Sequence, residues 1–161
     1  MQFNTYLDNK KSLKIIQDTS IREVILEHKT LSRMGVLETD NLLSLTDLAI
    51  KSGLSPVLQW DILCTESNFK NCIKLINNLP LSKFTAIRVQ DIGAAEWLRQ
   101  ELPEIPIHFI AETGNHNLKG LLRWHEYFGH QLQRLALSNE LPLSTLINYC
   151  QTLSVPCEIL A

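Results

Sequence analysis

Short apolar runs that end in polar residues recur along this chain, and each is followed by a stretch with helical spacing of its apolar positions. The runs predict up to seven strands, over 2–7, 23–27, 56–60, 85–90, 107–111, 134–137 and 158–160. Asn4 interrupts the first, which is the weakest. Between them lie amphipathic helical patterns. Asp8 is placed to cap a helix over 9–17, with Leu13, Ile16 and Ile15 inward, and Asp40 a helix over 41–51 with Leu42, Leu45, Leu48 and Ala49 inward. Similar stripes are Phe69, Cys72, Ile73 and Ile76; Ala94, Ala95, Trp97, Leu98 and Leu102; Leu118, Leu121, Leu122, His125 and Phe128; and Leu143, Leu146, Ile147 and Cys150. Gly53 and Gly129 fall where helices should stop.

Strand starts spaced by about 20 to 35 residues suit βα units joined by right-handed crossovers. Two architectures accept such a series: an open doubly wound sheet and a (β/α)8 barrel. No Gly-rich phosphate turn follows any strand, which removes the usual dinucleotide signature. Polar residues at the strand tips favour the barrel, whose active face is built at those ends. They are His28, Asp61, Gln90 with Asp91, Glu112, and Asn139 with Glu140. The expectation is therefore a single α/β domain over 1–161, TIM-barrel-like and incomplete.

Composition narrows the function classes. The chain has 161 residues, 45% of them hydrophobic, and 15 basic against 17 acidic side chains give a net charge of −2. No block of Lys and Arg marks a nucleic-acid footprint. No apolar run approaches the roughly 18 residues of a membrane span. The N-terminus lacks a basic and then apolar leader, and four irregularly spaced cysteines read as reduced thiols, so a cytoplasmic location is expected. None of Cys64, Cys72, Cys150 and Cys157 forms a CxxC pair, so no iron–sulfur or zinc site is supported within these residues.

Leu137-Ser138-Asn139-Glu140-Leu141 resembles a Leu-Ser-Arg-Glu-Leu element of the collagenase-like peptidases, peptidase family U, number thirty-two. Ile107-His108-Phe109-Ile110 with the Asn115 to Asn117 turn, Trp124 and Gly129 resembles another block of that family. Leu31-Ser32-Arg33, Arg88-Val89-Gln90-Asp91-Ile92-Gly93 and Cys157-Glu158-Ile159-Leu160 are similar to further elements. Asn139 stands where relatives usually have Arg, and Ala111-Glu112-Thr113 replaces a neutral turn. The family's His-Gly-Ala-x-Cys segment would follow Ala161, so the resemblance covers the N-terminal barrel portion, against about 200 residues or more for a full barrel. An unpaired strand edge there would favour a homo- or hetero-oligomer.

The resemblance implies a peptidase or hydrolase acting on a peptide or other small substrate, with the cofactor unknown. Two alternatives stay open. One is an accessory protein of oxygen-independent hydroxylation of an RNA base or ubiquinone precursor, as in iron–sulfur relatives. The other is a non-catalytic binding module. Converging carboxylates at a barrel mouth repel, which creates an acid/base pair or a hard-metal site. On that logic Glu140 and Asp91 are the catalytic candidates, with Asp61, Glu112, Arg33, His116 and Asn139 as substrate contacts. Helix capping and a solvated rim compete with that reading, Asp91 and Glu140 included. Arg88 reads as an exposed or salt-bridged strand position. His28 reads as a base or as an ordinary capping histidine, and His108 as a strand residue.

Overall fold

A computed structural model describes residues 2–112 and 117–159. Strands β1 (Asn4–Tyr6), β2 (Glu23–Glu27), β3 (Ser55–Trp60), β4 (Ala86–Val89), β5 (Ile107–Ile110), β6 (Leu132–Leu137) and β7 (Cys157–Ile159) pair in chain order, and every pair is parallel. Helices α1 (Lys10–Gln17), α2 (Thr39–Lys51), α3 (Glu66–Asn78), α4 (Ile92–Glu101), α5 (Leu118–Phe128) and α6 (Leu143–Thr152) alternate with them. The sheet curls into an incomplete α/β barrel, as the strand-tip pattern implied. Among the described residues, β1 and β7 are its two unpaired edges.

The capping chemistry differs in detail from the expectation. Asn9, not Asp8, caps α1, because its side-chain oxygen accepts from the amides of Lys11 and Ser12. Asp40 lies inside the first turn of α2, where its charge meets the helix dipole, while Glu38 occupies the cap position without a side-chain cap bond, its carboxylate pairing with Lys29 instead. Ile15 faces solvent, since only Leu13 and Ile16 of α1 are buried. On α6 the buried residues are Leu146 and Tyr149, so Leu143, Ile147 and Cys150 stand outside the core. Gly53 and Gly129 do end helices, at φ of 75° and 54°, where a side chain would strain the backbone.

Alternation along each strand separates two interiors. One phase faces the helices: Val24, Leu26, Leu58, Trp60, Ile87, Val89, Phe109 and Leu135 pack against Leu42, Leu45, Ile76, Leu98 and Leu121 in one apolar core. Each such side chain contributes about 1.5–3 kcal/mol by leaving water. The other phase lines the concave side. There Ile25, Val57 and Ala86 form a small separate cluster, Ile110 and Ala136 are further buried apolar positions, and the other positions are polar. Arg134 bonds both oxygens of Glu23, one at 2.9 Å, and reaches Glu158 at 3.2 Å. Arg88 meets Glu158 at 2.7 Å and Gln59 at 3.0 Å. Asn4 donates to Glu158 at 2.9 Å, so side chains link the two edge strands that backbone bonds do not. Two cations and two carboxylates thus fill the concave side, with His108 buried beside them.

Candidate functional site

The C-terminal strand ends form a mouth, one wall of which is the hydrogen-bonded loop between β2 and α2. His28, just past β2, organises it. Its carbonyl accepts from the amides of Leu31 and Ser32, its Nδ1 accepts from Thr30 at 3.0 Å, and its Nε2 meets the Thr39 hydroxyl at 3.2 Å. Burial holds the imidazole below its ordinary value, and Glu38 opposes this only in part. His28 is therefore a buried loop clamp. A Cβ on Gly35 would lie 2.4 Å from the His28 carbonyl oxygen, so the loop closes only with glycine there. Ser32 donates to the Gln59 carbonyl at 3.0 Å and fastens the loop to β3.

That loop carries Arg33 onto Asp61. The Arg33 amide donates to Asp61 Oδ1 at 2.9 Å and its Nε to Oδ2 at 3.0 Å. Asp61 is only 3% exposed, so its charge is held by this pair in a dry setting. Because Nε takes the bond, the two Nη groups of Arg33 keep their donors for a ligand, and its side chain is half exposed. Asp61 and Arg33 are the two expected site residues that the fold brings into contact.

The others are distributed around the mouth. Asp91 caps α4: Oδ1 accepts from the Ala94 amide at 2.8 Å, and Oδ2 accepts from the Cys64 amide at 3.1 Å. Both oxygens are thus engaged in holding the α4 entry against the loop after β3. Glu112 lies half-buried just past β5, which separates β4 from β6. Asn139 and Glu140 are exposed on the loop after β6, where the Glu140 amide donates to the Ser138 hydroxyl at 3.3 Å. His116 lies outside the described residues.

A group the strand-tip pattern passed over lies between β1 and the β2–α2 loop. A pocket of ≈ 350 Å³ is lined by Tyr6, Leu7, Asp8, Ser12, Glu27, Met34, Val36 and Leu37. Partial burial pushes the Glu27 carboxyl above the ordinary carboxylate range; the Asp61 charge adds to this, Arg88 and Arg33 oppose it, and Asp8 adds again. Burial likewise raises the Tyr6 phenol, against the pull of Arg88 and with the push of Glu27. A half-buried carboxyl with raised proton affinity, beside an ion pair and open to solvent, is suited to proton transfer. The signal for Glu27 was present in the chain: it shares the alternation phase of Glu23 and Ile25, which places it on the concave side at the active end of its strand.

The remaining candidates take structural places. Arg88 is buried in the concave network, and His108 is a buried strand residue. Cys64 and Cys72 lie together beneath the loop after β3, and Cys150 lies with Cys157 at the opposite end of the strands. Among the described residues, no group of three or more His, Cys, Asp and Glu side chains is set to hold a metal ion. No described helix is long and apolar enough to cross a membrane.

Comparison with known proteins gives two findings. The model of Peptidase family U32 matches residues 8–161. A solved structure, that of the U32 peptidase Mk0906, superposes with a TM-score of 0.69 at 16% identity, covering 99% of this chain and 68% of that one. That likeness is one of fold. No curated protein matches the chain.

Proposed function

Since the chain belongs to Peptidase family U32, we propose that it hydrolyses peptide bonds at the mouth pocket, with Glu27 as the proton-transferring group. The observation that carries this placement is the raised proton affinity of Glu27 in a pocket beside the Asp61–Arg33 pair. As a carboxylate, Glu27 takes one proton from water while the water oxygen bonds to the scissile carbonyl carbon. The Nη groups of Arg33 offset the negative charge that collects on the carbonyl oxygen. Glu27 then returns the proton to the departing nitrogen as the carbon–nitrogen bond breaks, leaving a carboxylic acid and an amine. Asp61 acts through Arg33 and is a positioning residue.

The sequence-derived residues have places in the same scheme. Asp91, with both oxygens engaged by backbone amides, positions the loop after β3. Glu112, Asn139 and Glu140 contact substrate around the rim, and His116, outside the described residues, is kept as a substrate contact from the sequence alone. A direct catalytic role for Asp91 and Glu140 is the rival assignment within this reading.

Turnover of fluorogenic peptides separates the two. Glu27→Gln is expected to lower kcat by about 10²–10⁴ and to remove the acidic limb of the pH profile, where activity rises as Glu27 loses its proton. Unchanged turnover in that variant would end the assignment of Glu27. Abolished turnover in folded Asp91→Asn or Glu140→Gln would restore those residues as the catalytic pair.

A further inference from the structure

The mouth pocket combines apolar walls with acid groups in a way that defines its occupant. Leu7 and Leu37 are buried walls, whereas Met34 and Val36 are 77% and 69% exposed beside the opening. Large apolar side chains left in water at a pocket entrance gain by covering an aliphatic stem. The polar lining is Tyr6, Ser12, Asp8 and Glu27.

The charges near this pocket do not balance. Arg33 bonds Asp61 through its amide and Nε and so offsets that carboxylate, and Arg88 bonds Glu158 and Gln59. Among the described residues, Asp8 receives only neutral donors, both on Oδ1: Asn9 Nδ2 at 2.7 Å and the Ser12 hydroxyl at 2.9 Å. Among the described residues neither Asp8 nor Glu27 forms an ion pair, although the Arg88 and Arg33 charges act on Glu27 from a distance. An anionic ligand is repelled there. A wholly apolar ligand makes no use of the Asp8 carboxylate, which is exposed beside the pocket. A cation on a long aliphatic stem meets both demands, because the stem lies along Leu7, Met34, Val36 and Leu37 while the head bonds Asp8.

We propose that this pocket is a specificity subsite for a lysine or arginine side chain of the peptide substrate, held by Asp8 at its head and by the β2–α2 loop along its stem. The proposal rests on the peptidase reading for the word substrate and on the pocket alone for the ligand chemistry. A free peptide N-terminus carries the same positive charge, but its short stem leaves Met34 and Val36 uncovered, so the side chain is the occupant.

Binding of small probes tests this without any turnover. N-acetyl-argininamide is titrated into the protein with amide NMR shifts as the readout, beside N-acetyl-norleucinamide and leucinamide. The expected result is saturable binding of the arginine probe, with shifts at Val36 and Leu37, and at least tenfold weaker binding of the other two. Asp8→Asn keeps the Oδ1 acceptor for Ser12 and should weaken the arginine probe at least tenfold. Val36→Arg places a tethered cation at the exposed entrance and should abolish binding. Equal binding of the norleucine probe, preference for leucinamide, no binding of the arginine probe, or indifference to Asp8→Asn would each overturn the proposal. Arginine binding in a protein that hydrolyses no peptide would end the peptidase reading and leave the subsite standing. Hydrolysis indifferent to basic residues would do the reverse.

Discussion

Replacing His108 by Gln should remove an acid-sensitive element from the barrel interior. His108 is 4% exposed on β5, and its Nδ1 is buried without a hydrogen-bond partner among the described residues. A proton on that nitrogen would be an orphan donor next to the Arg134 charge. Burial first, and Arg134 second, hold the imidazole down to about 4, against 6.5 for the ordinary group. The unfolded chain therefore binds the extra proton throughout the window from about 6.5 to about 4. Stability must fall as pH drops through that window, because protons favour the unfolded state there. A gap of about 2.5 pH units, at about 1.36 kcal/mol each, makes the full loss roughly 3 kcal/mol, and by pH 5 roughly 2 kcal/mol of it has appeared. Urea unfolding at pH 7.5 and pH 5 measures the loss for the native chain and for His108→Gln. Other titrating groups, His28 and Glu158 among them, are common to both chains and cancel in the difference. The native chain should lose about 2 kcal/mol more than the variant. Equal losses, or an imidazole that titrates near 6.5 by NMR in the folded protein, would refute the reasoning.

Two further outcomes are expected. Arg134→Met leaves Glu23 and Glu158 buried with a cation removed, and should cost about 3–5 kcal/mol in urea unfolding; adding Glu23→Gln should recover part of it, and a cost under about 1 kcal/mol would show that water already screens the pair. Burial pushes the thiols of Cys64 and Cys157 up to about 12, and Cys72 is buried and also raised, whereas Cys150 is exposed. A thiol reagent at pH 8 should therefore label Cys150 first, and Cys150→Ser should remove the fast phase. A fast phase that survives the substitution would contradict this ordering.

The fold was readable because its two periodicities are clean. Ile87 and Val89 flanking Arg88, or Val24 and Leu26 between Glu23 and Glu27, announce strands with one apolar and one polar face. The polar phase was the part that single positions could not resolve. Arg88 alternates with apolar neighbours equally well on a solvent edge or inside a barrel. Its partner, Glu158, lies 70 residues away in the chain, so no local pattern reports it. The same limit applied to the site. Residues just past the strands, such as Asp91, invite a catalytic reading, yet a carboxylate at a helix start is also the best available cap, and Asp91 makes that cap bond to Ala94 while its other oxygen takes the Cys64 amide. Glu27 sat inside a strand pattern and was absorbed into it. Its raised proton affinity comes first from burial and then from the Asp61 charge, and both depend on tertiary closure.

The concave ion pairs also set a schedule. Glu23 and Arg134 are 111 residues apart, and Asn4 and Glu158 are 154 apart. At a synthesis rate of about 5–20 residues per second, Glu23 leaves the ribosome roughly 6–22 s before Arg134, and Asn4 roughly 8–31 s before Glu158. Throughout that interval the early strands carry unpaired charges on the face that will be buried, and water is their better partner. Until β6 and β7 emerge, Glu23 and Arg88 lack the charged partners that the folded chain gives them. The side-chain link between the two edge strands waits for β7, so its presence reports that the later strands have arrived.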